Sequence, residues 1–222
     1  LLGLLLGLVA GGGLVVFREK LDTHIRQPGD LEAHGHHVLG VVPSMTPLIN
    51  DEFDGQETIE VDGRPVHTLL AMLVSPMSAA AEAYRRIRTN LRFAKPDDGI
   101  QALAVSSADK GDGKTTTCAN LALALASAGK RTVVVDADLR RPWMHEMLGV
   151  DREPGLAQVL YDGEIDPEAY ATRVEDLFVI PAGDTVPNPA EILGSNRMER
   201  LIGALEAEFD YVLFDTPPAL LF

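Results

Sequence analysis

The stretch Ala102-Leu-Ala-Val-Ser-Ser-Ala-Asp-Lys-Gly-Asp-Gly-Lys-Thr-Thr-Thr117 decides the fold. Ala102 to Ser106 is short and apolar, as a buried strand requires, and Cys118 to Ser127 is an Ala/Leu run suited to a helix. Between them lies a glycine-rich turn ending in Gly113-Lys114-Thr115. Gly111 and Gly113 let backbone N–H groups close around an anion with no Cβ in the way, and the helix that follows adds its N-terminal dipole. Strand, turn, Gly-Lys-Thr and helix in this order are the context of a P-loop. The candidate phosphate-binding set is Lys110, Gly111, Asp112, Gly113, Lys114, Thr115 and Thr116. Lys114 offers a cation to the β- and γ-phosphates of a nucleotide, and Thr115 a hydroxyl to Mg2+. The strict pattern has glycine five positions before Gly113, where this chain has Ala108. Asp112 brings a negative charge to an anion site, so its side chain is expected to point away.

Two runs further along extend the reading. Thr132-Val-Val-Val-Asp136 is β-branched and apolar and leads into Ala-Asp138-Leu-Arg140-Arg-Pro142. Tyr211-Val-Leu-Phe-Asp215 repeats the design and leads into Thr-Pro-Pro218. Strands buried on both faces deliver acids at their C-terminal edge, where ligands bind in parallel α/β sheets. Asp215 fits a Walker B acid that holds Mg2+ through water. Of Asp136 and Asp138, one can serve the metal while the other takes a proton from an attacking hydroxyl; sequence alone does not assign the two roles. Leu177 to Pro181 reads as another strand, and Asn196 with Glu199 as a capping-box start to a helix striped by Met198, Leu201, Ile202, Leu205 and Phe209. Trp143, Met144, Met147 and Cys118 read as core or interface residues without chemistry. The fold expected is α/β, a P-loop NTPase-like, mostly parallel sheet flanked by helices.

Upstream, Ser78 can cap a helix over Ala79–Phe93, with Tyr84, Ile87 and Leu91 on one buried stripe. The same helix carries Glu82 within reach of Arg85 and Arg86, and then Arg88 and Arg92. It is a basic spot in a chain whose formal net charge is −14. That balance argues against a nucleic-acid partner, because phosphate backbones need a basic face. The basic helix instead reads as a docking surface for an acidic neighbouring subunit.

Leu1 to Phe17 has no charged or polar side chain. As a helix it would extend about 26 Å, slightly short of a hydrocarbon core of about 30 Å. Gly3, Gly7 and Gly11 recur every four residues, which suits close helix contact in lipid. Arg18, Lys20 and Arg26 follow and put the rest of the chain on the cytoplasmic side. The expected organisation is a partial transmembrane helix over 1–17, a cytoplasmic juxtamembrane linker over 18–76, and a P-loop domain over 77–222. Within the linker, Val38 to Pro43 reads as one short strand. Asp51 to Asp62, with six carboxylates and no base, reads as a solvated loop. His34, His36 and His37 read as an exposed polar loop. The one cysteine, Cys118, excludes an intrachain disulfide. Beginning at Leu1 and stopping at Phe222 just past a strand-like run, the chain reads as an internal fragment of a longer protein.

Together these motifs make the sequence similar to the bacterial tyrosine kinases, the cytoplasmic halves of capsular and exopolysaccharide co-polymerases. The resemblance runs over residues 38–222. It is carried by Leu39-Gly-Val-Val-Pro43, Glu82-Ala-Tyr-Arg-Arg-Ile-Arg-Thr-Asn-Leu91 and the relaxed Walker A at 108–115. It is carried equally by Val133-Val-Val-Asp-Ala-Asp-Leu-Arg-Arg-Pro142, Pro187-Asn-Pro-Ala-Glu-Ile-Leu193 and Phe209-Asp-Tyr-Val-Leu-Phe-Asp-Thr-Pro-Pro218. The resemblance implies transfer of the ATP γ-phosphate to tyrosine with Mg2+. It casts Lys114, Asp136 and Asp138 as catalytic, with the two acids in Walker A′, and Thr115, Asp136 and Asp215 as the metal set. Glu82, Arg85 and Arg88 match the family's Glu-x-x-Arg-x-x-Arg pattern, which implies subunit contacts in a homo-oligomeric ring that phosphorylates tyrosine tails in trans. A bacterial inner-membrane location and a periplasmic co-polymerase segment as partner are implied as well.

The chain also departs from the family. The family's acceptor is a C-terminal tyrosine cluster, whereas Tyr84, Tyr161, Tyr170 and Tyr211 are scattered, with Tyr84 and Tyr211 reading as buried. The acceptor tail and the last strands are expected beyond Phe222, so this chain alone is expected to phosphorylate itself weakly or not at all. Two other readings stand beside this one. A partition or division-site ATPase of the same deviant Walker class would carry a lysine five positions before Lys114; Asp109 stands there, with Lys110 one residue off. A non-catalytic chain-length scaffold would have a vestigial nucleotide site, against which the intact Lys114, Thr115 and three acids count.

Overall fold

The computed structural model describes residues 27–61, 63–94, 99–163 and 165–219, together with Gly3, Gly7, Gly11, Gly12 and Phe17. The chain divides into two units, Leu1–Val41 and Val42–Phe222. In the first, Pro28–Glu32 forms a short helix, α1, started by a proline at its first turn. His34, His36 and His37 follow it and are exposed, with the His34 ring held 2.7 Å from the Asp30 carbonyl. The membrane helix expected over 1–17 lies, but for the five residues named, outside the described residues. Among those described, no helix is long and apolar enough to cross a membrane. Val38 to Pro43 is not the strand expected of it; the run has no regular secondary structure.

The second unit begins with structure where a connector was expected. Helix α2, Thr46–Phe53, ends at Asp54 in the left-handed region. An antiparallel hairpin follows, β1 Thr58–Val61 and β2 Arg64–His67, in the register Thr58↔His67 and Ile59↔Val66. The acidic run expected to be a loop therefore holds the end of a helix, a short turn over 54–57 and a strand over 58–61. Asp51, Glu52, Asp54, Glu57 and Glu60 fall on exposed positions while Ile59 and Val61 turn half-inward, the two-residue alternation of a one-sided strand. Gly63, with a φ of 75°, takes the left-handed conformation that hairpin turns favour. The Thr68 side chain closes the base of the hairpin, its hydroxyl reaching the carbonyls of Gln56 (2.8 Å) and Glu57 (3.0 Å). A single turn, α3 Ala71–Val74, leads to α4, Ala79–Ala94. Ser78 caps α4 by accepting from the Ala81 N–H at 3.2 Å, and Tyr84, Ile87 and Leu91 are buried as their spacing requires.

The remaining elements alternate. Strand β3, Ala102–Val105, leads to helix α5, Lys114–Ala126, and then to β4, Thr132–Asp136. Helices α6, Met144–Leu148, and α7, Leu156–Asp162, and a 3-10 turn at Pro167–Tyr170 come before β5, Leu177–Ile180. Helices α8, Pro189–Leu193, and α9, Asn196–Glu208, precede β6, Tyr211–Asp215. The sheet runs β3-β6-β4-β5 with every pair parallel. The α9 cap lies one residue before the expected Asn196: Ser195 Oγ accepts from the Met198 N–H at 3.4 Å. All positions of β4 and β5 are buried, which is why they read as unbroken apolar runs, whereas β3 at the edge is half exposed. One core layer joins Val133, Val135, Phe178 and Ile180 to Leu201, Leu205 and Phe209 on α9 and its exit.

The register fixes the functional end. Asp136 pairs with Asp215, and Val105 with Asp215 on the other side. The ends of β3, β6 and β4 therefore meet along one carboxyl edge, and the glycine-rich turn leaves from that edge.

Candidate active site

A cavity of about 680 Å³ opens at this edge. Lys110, Gly111, Gly113, Lys114, Thr115 and Thr116 line it from the loop, and Asp138 from the end of β4. Gly111 and Gly113 have φ of 89° and 87°, a region L side chains rarely adopt. A Cβ at either would meet no protein atom within 4 Å, so it would intrude on open space beside the loop. Asp112 points away as expected: its carboxylate accepts the Asp109 N–H at 2.8 Å and closes the turn.

One chain of contacts links the two acidic edges. Lys114 Nζ lies 3.2 Å from Asp138 Oδ2 and 3.3 Å from the Thr115 hydroxyl. That hydroxyl donates to Asp215 Oδ2 at 2.6 Å. Asp215 is 1% exposed, and its Oδ1 is buried without a hydrogen-bond partner. Burial pushes the Asp215 carboxyl up to about 6, against the pull of the Thr115 hydroxyl and the Lys114 charge. An orphaned carboxylate oxygen beside a threonine hydroxyl suits a divalent cation. Among the described residues no three His, Cys, Asp or Glu side chains form a cage. A metal here would draw on Thr115, Asp215 and phosphate oxygens, the sparse protein coordination typical of Mg2+.

The two acids of the β4 edge play different parts. Asp136 is fully buried, and its oxygens accept from the Asp138 N–H (3.2 Å), the Trp143 N–H and the Met144 N–H (both 3.1 Å). It ties the loop 137–143 into a closed bend and caps α6. Burial and the Asp215 charge push its carboxyl up to about 7, and the backbone donors oppose them. Asp138 faces the cavity, with Oδ2 toward Lys114 and Oδ1 accepting the Arg141 N–H at 3.1 Å.

Sequence reasoning missed Leu69, Arg140, Arg141, Pro142, Trp143, Pro217 and Pro218, which also line the cavity. All but Leu69 directly follow an acid that was recognised, and that adjacency was the available signal. Leu69 carried none. Trp143, read as core, is only partly buried, whereas Met144 and Met147 are fully buried as expected. Cys118 is core as expected, its thiol pushed well up by burial and by Asp215 and Asp136.

Glu82, Arg85 and Arg88 lie on α4, away from this cavity's lining. Arg85 bonds to the Pro76 carbonyl (2.7 Å) and Glu82 (3.3 Å); Arg88 bonds to the Ala124 carbonyl in the last turn of α5 (2.7 Å).

A glycine-rich loop opening a helix, between two acidic edges of a parallel sheet, defines a P-loop nucleotide-binding protein. In agreement, the AAA-domain family matches residues 100–222. The tyrosine-protein kinase Wzc of Salmonella typhi is 34% identical over 221 residues, which cover 99% of this chain and 30% of that protein. YwqD, a tyrosine-protein kinase of Bacillus subtilis, is 40% identical over 149 residues, 67% of this chain and 63% of that one. The solved kinase domain of the Escherichia coli tyrosine kinase ETK superposes with a TM-score of 0.76 at 30% identity, covering 90% of this chain and 76% of that one. The BceF tyrosine kinase domain superposes at 0.72, also with 30% identity, covering 88% and 78%. The chain belongs to the bacterial tyrosine kinase family. It spans about a third or less of the Salmonella relative's length.

Proposed function

We propose that this chain is the ATP-dependent protein-tyrosine kinase part of a membrane-anchored co-polymerase that regulates capsular or exopolysaccharide polymerisation and export. The observation that carries the reading is the run of contacts Asp138–Lys114–Thr115–Asp215, the first three lining the cavity and the buried Asp215 backing Thr115. Lys110, Lys114 and the N–H groups of Gly111 to Thr116 hold the triphosphate. Thr115 and Asp215 would hold Mg2+, which would supply positive charge to offset the negative charge developing on the transferring phosphoryl group. Asp138 is the base. As a tyrosine Oη–P bond forms and the bond from phosphorus to the β,γ-bridging oxygen breaks, the phenolic proton passes to the Asp138 carboxylate. Lys114, released from Asp138 by that proton, stays on the transferring phosphoryl group. Asp136 supports the reaction by shaping the Asp138 loop.

The test is transfer of the γ-phosphate from ATP with Mg2+ to a tyrosine-containing peptide. We expect phosphotyrosine in the wild type and none in Lys114→Met. Phosphate released only to water, with no phosphotyrosine, rejects the kinase reading.

The same reading places the chain on the cytoplasmic side of a bacterial inner membrane, in a homo-oligomer whose contacts include Glu82, Arg85 and Arg88. Arg85→Ala with Arg88→Ala is expected to lower the oligomer mass measured by light scattering. An unchanged mass rejects that surface.

A further inference from the structure

The β1–β2 hairpin touches the candidate active site at points that neither the P-loop nor the acidic edges explain. The His67 ring meets the Trp143 indole edge to face, with centroids 5.0 Å apart and planes at 77°. Trp143 lines the cavity, and its backbone N–H is one of those held by Asp136. The far end of the same short helix is held as well. Arg64 Nη1 donates to the Gly149 carbonyl at 3.1 Å. Gly149 has a φ of 64°, and a Cβ there would run into the Pro65 carbonyl, so the hairpin backbone lies directly against the helix exit.

The strap that leaves the hairpin is fixed in turn to the phosphate-loop helix. Asn120, fully buried on α5, accepts the Met72 N–H at 3.0 Å through Oδ1. Its amide donates to the carbonyls of Leu69 and Thr116, both at 2.9 Å. Leu69 and Thr116 both line the cavity. The Leu69 N–H donates to His67 Nδ1 at 3.1 Å, which sets the ring's rotation.

We propose that the hairpin clamps the nucleotide cavity, with His67 as a positioning residue that acts through Trp143 to fix the loop carrying Asp138. His67 touches no reacting atom. It holds the indole, whose own N–H donates to Glu146 at 3.2 Å, while the backbone N–H of the same residue is tied to Asp136, and Asp136 also ties the Asp138 N–H. A shift of the residue 143 backbone that follows the indole therefore reaches the Asp138 end of a loop closed on Asp136. General-base transfer depends steeply on such placement. A flat ring at position 67 should suffice, because the contact is ring edge against ring face.

This deepens the kinase reading and rests on it for the transfer step. Trp143 is the sole tryptophan of the chain, so its fluorescence reports the clamp directly. The experiment compares wild type, His67→Ala and His67→Phe in Trp143 emission and in steady-state transfer from ATP to a tyrosine peptide. For His67→Ala we expect red-shifted emission and a kcat lowered by about tenfold. Its KM for ATP should stay within about twofold, because the phosphate cradle is intact. His67→Phe should restore both emission and kcat. Unchanged emission and kcat in His67→Ala overturn the proposal. So does a loss that His67→Phe fails to rescue, since the hairpin is then needed only for folding. If the wild type transfers nothing to tyrosine, the kinase reading fails and emission alone decides the clamp: a red shift in the alanine variant reversed by phenylalanine keeps it, and anything else overturns it.

Discussion

Residues 108–116 and residues 56–72 border the same cavity, but different forces hold them there. The phosphate loop is shaped mostly from within. Two glycines at positive φ, an aspartate that turns back on the Asp109 N–H and a helix starting at Lys114 set its path. The hairpin and its strap are shaped from outside, by Asn120, Trp143 and Gly149, which lie tens of residues further along the chain. A local device can be read from a short window of sequence, whereas a tertiary one shows only when its partners are in place.

The comparison breaks first at Lys114. If the loop is the true phosphate cradle, Lys114→Met removes its main cation and also leaves Asp138 without its ion pair. ATP affinity should fall by about a hundredfold or more, as for truncation of one partner in a buried charge pair. Titration calorimetry checks this, and unchanged affinity dissolves the site. Next in size is Asp138→Asn, which keeps the shape and the Arg141 N–H contact but loses the proposed base. The kcat should fall on the order of a hundredfold with ATP affinity nearly unchanged. The same substitution at Asp136 should act differently. It trades an acceptor for a donor inside a knot of three backbone N–H groups, and should lower the melting temperature along with the rate.

Most of the sheet was legible because its strands are buried on both faces. Val133–Val135 and Leu177–Ile180 have no polar residue to break the run, and a helix of that composition would need more length. The acids were legible because they end such runs. What stayed hidden was the division of labour between Asp136 and Asp138. The two are separated by two positions and alike in composition, and only the bend that brings Trp143 and Met144 back to Asp136 distinguishes them. The 42–76 region was hidden for the opposite reason. Its alternation is short and its exposed face is densely acidic, so Thr58-Ile-Glu-Val61 resembles a solvated loop until Val66 and Leu70 are seen buried. The pattern reads as a juxtamembrane linker, whereas the folded segment contributes Leu69 to the cavity wall.

Proton linkage sharpens the contrast at the acidic edges. Asp215 and Asp136 have carboxyls raised from 3.8 to about 6 and about 7. A carboxyl with a raised native value binds more protons folded than unfolded, so its contribution to stability falls as pH rises between about 4 and 7. The nucleotide-free protein should therefore melt lower at pH 8 than the unshifted carboxyls alone would give. Asp215→Asn keeps the Thr115 contact, removes one desolvated charge and should flatten part of that slope. Mg2+, which needs the ionised carboxylate, should bind more tightly above about pH 6 in the wild type and weakly at every pH in the variant. Melting curves at several pH values, with and without Mg2+, check both signs. A slope unchanged by Asp215→Asn contradicts the burial argument.

The smallest effect lies in the hairpin, and it tests whether the two regions fold as one. Thr68 is fully buried at the base of β2, with its hydroxyl shared between two carbonyls. Thr68→Val keeps the shape and withdraws that one donor. The Glu57 carbonyl retains the Thr68 N–H at 2.8 Å, whereas the Gln56 carbonyl loses the hydroxyl that reaches it. The cost should be about 1 kcal/mol, the net worth of one such bond. If the hairpin unfolds together with the sheet, denaturant melts will show that loss as a shifted midpoint with an unchanged slope. If it frays independently, the global midpoint will hold and amide exchange will quicken across residues 58–67 alone. The first result makes the clamp part of the folded core; the second makes it a flap that opens on its own.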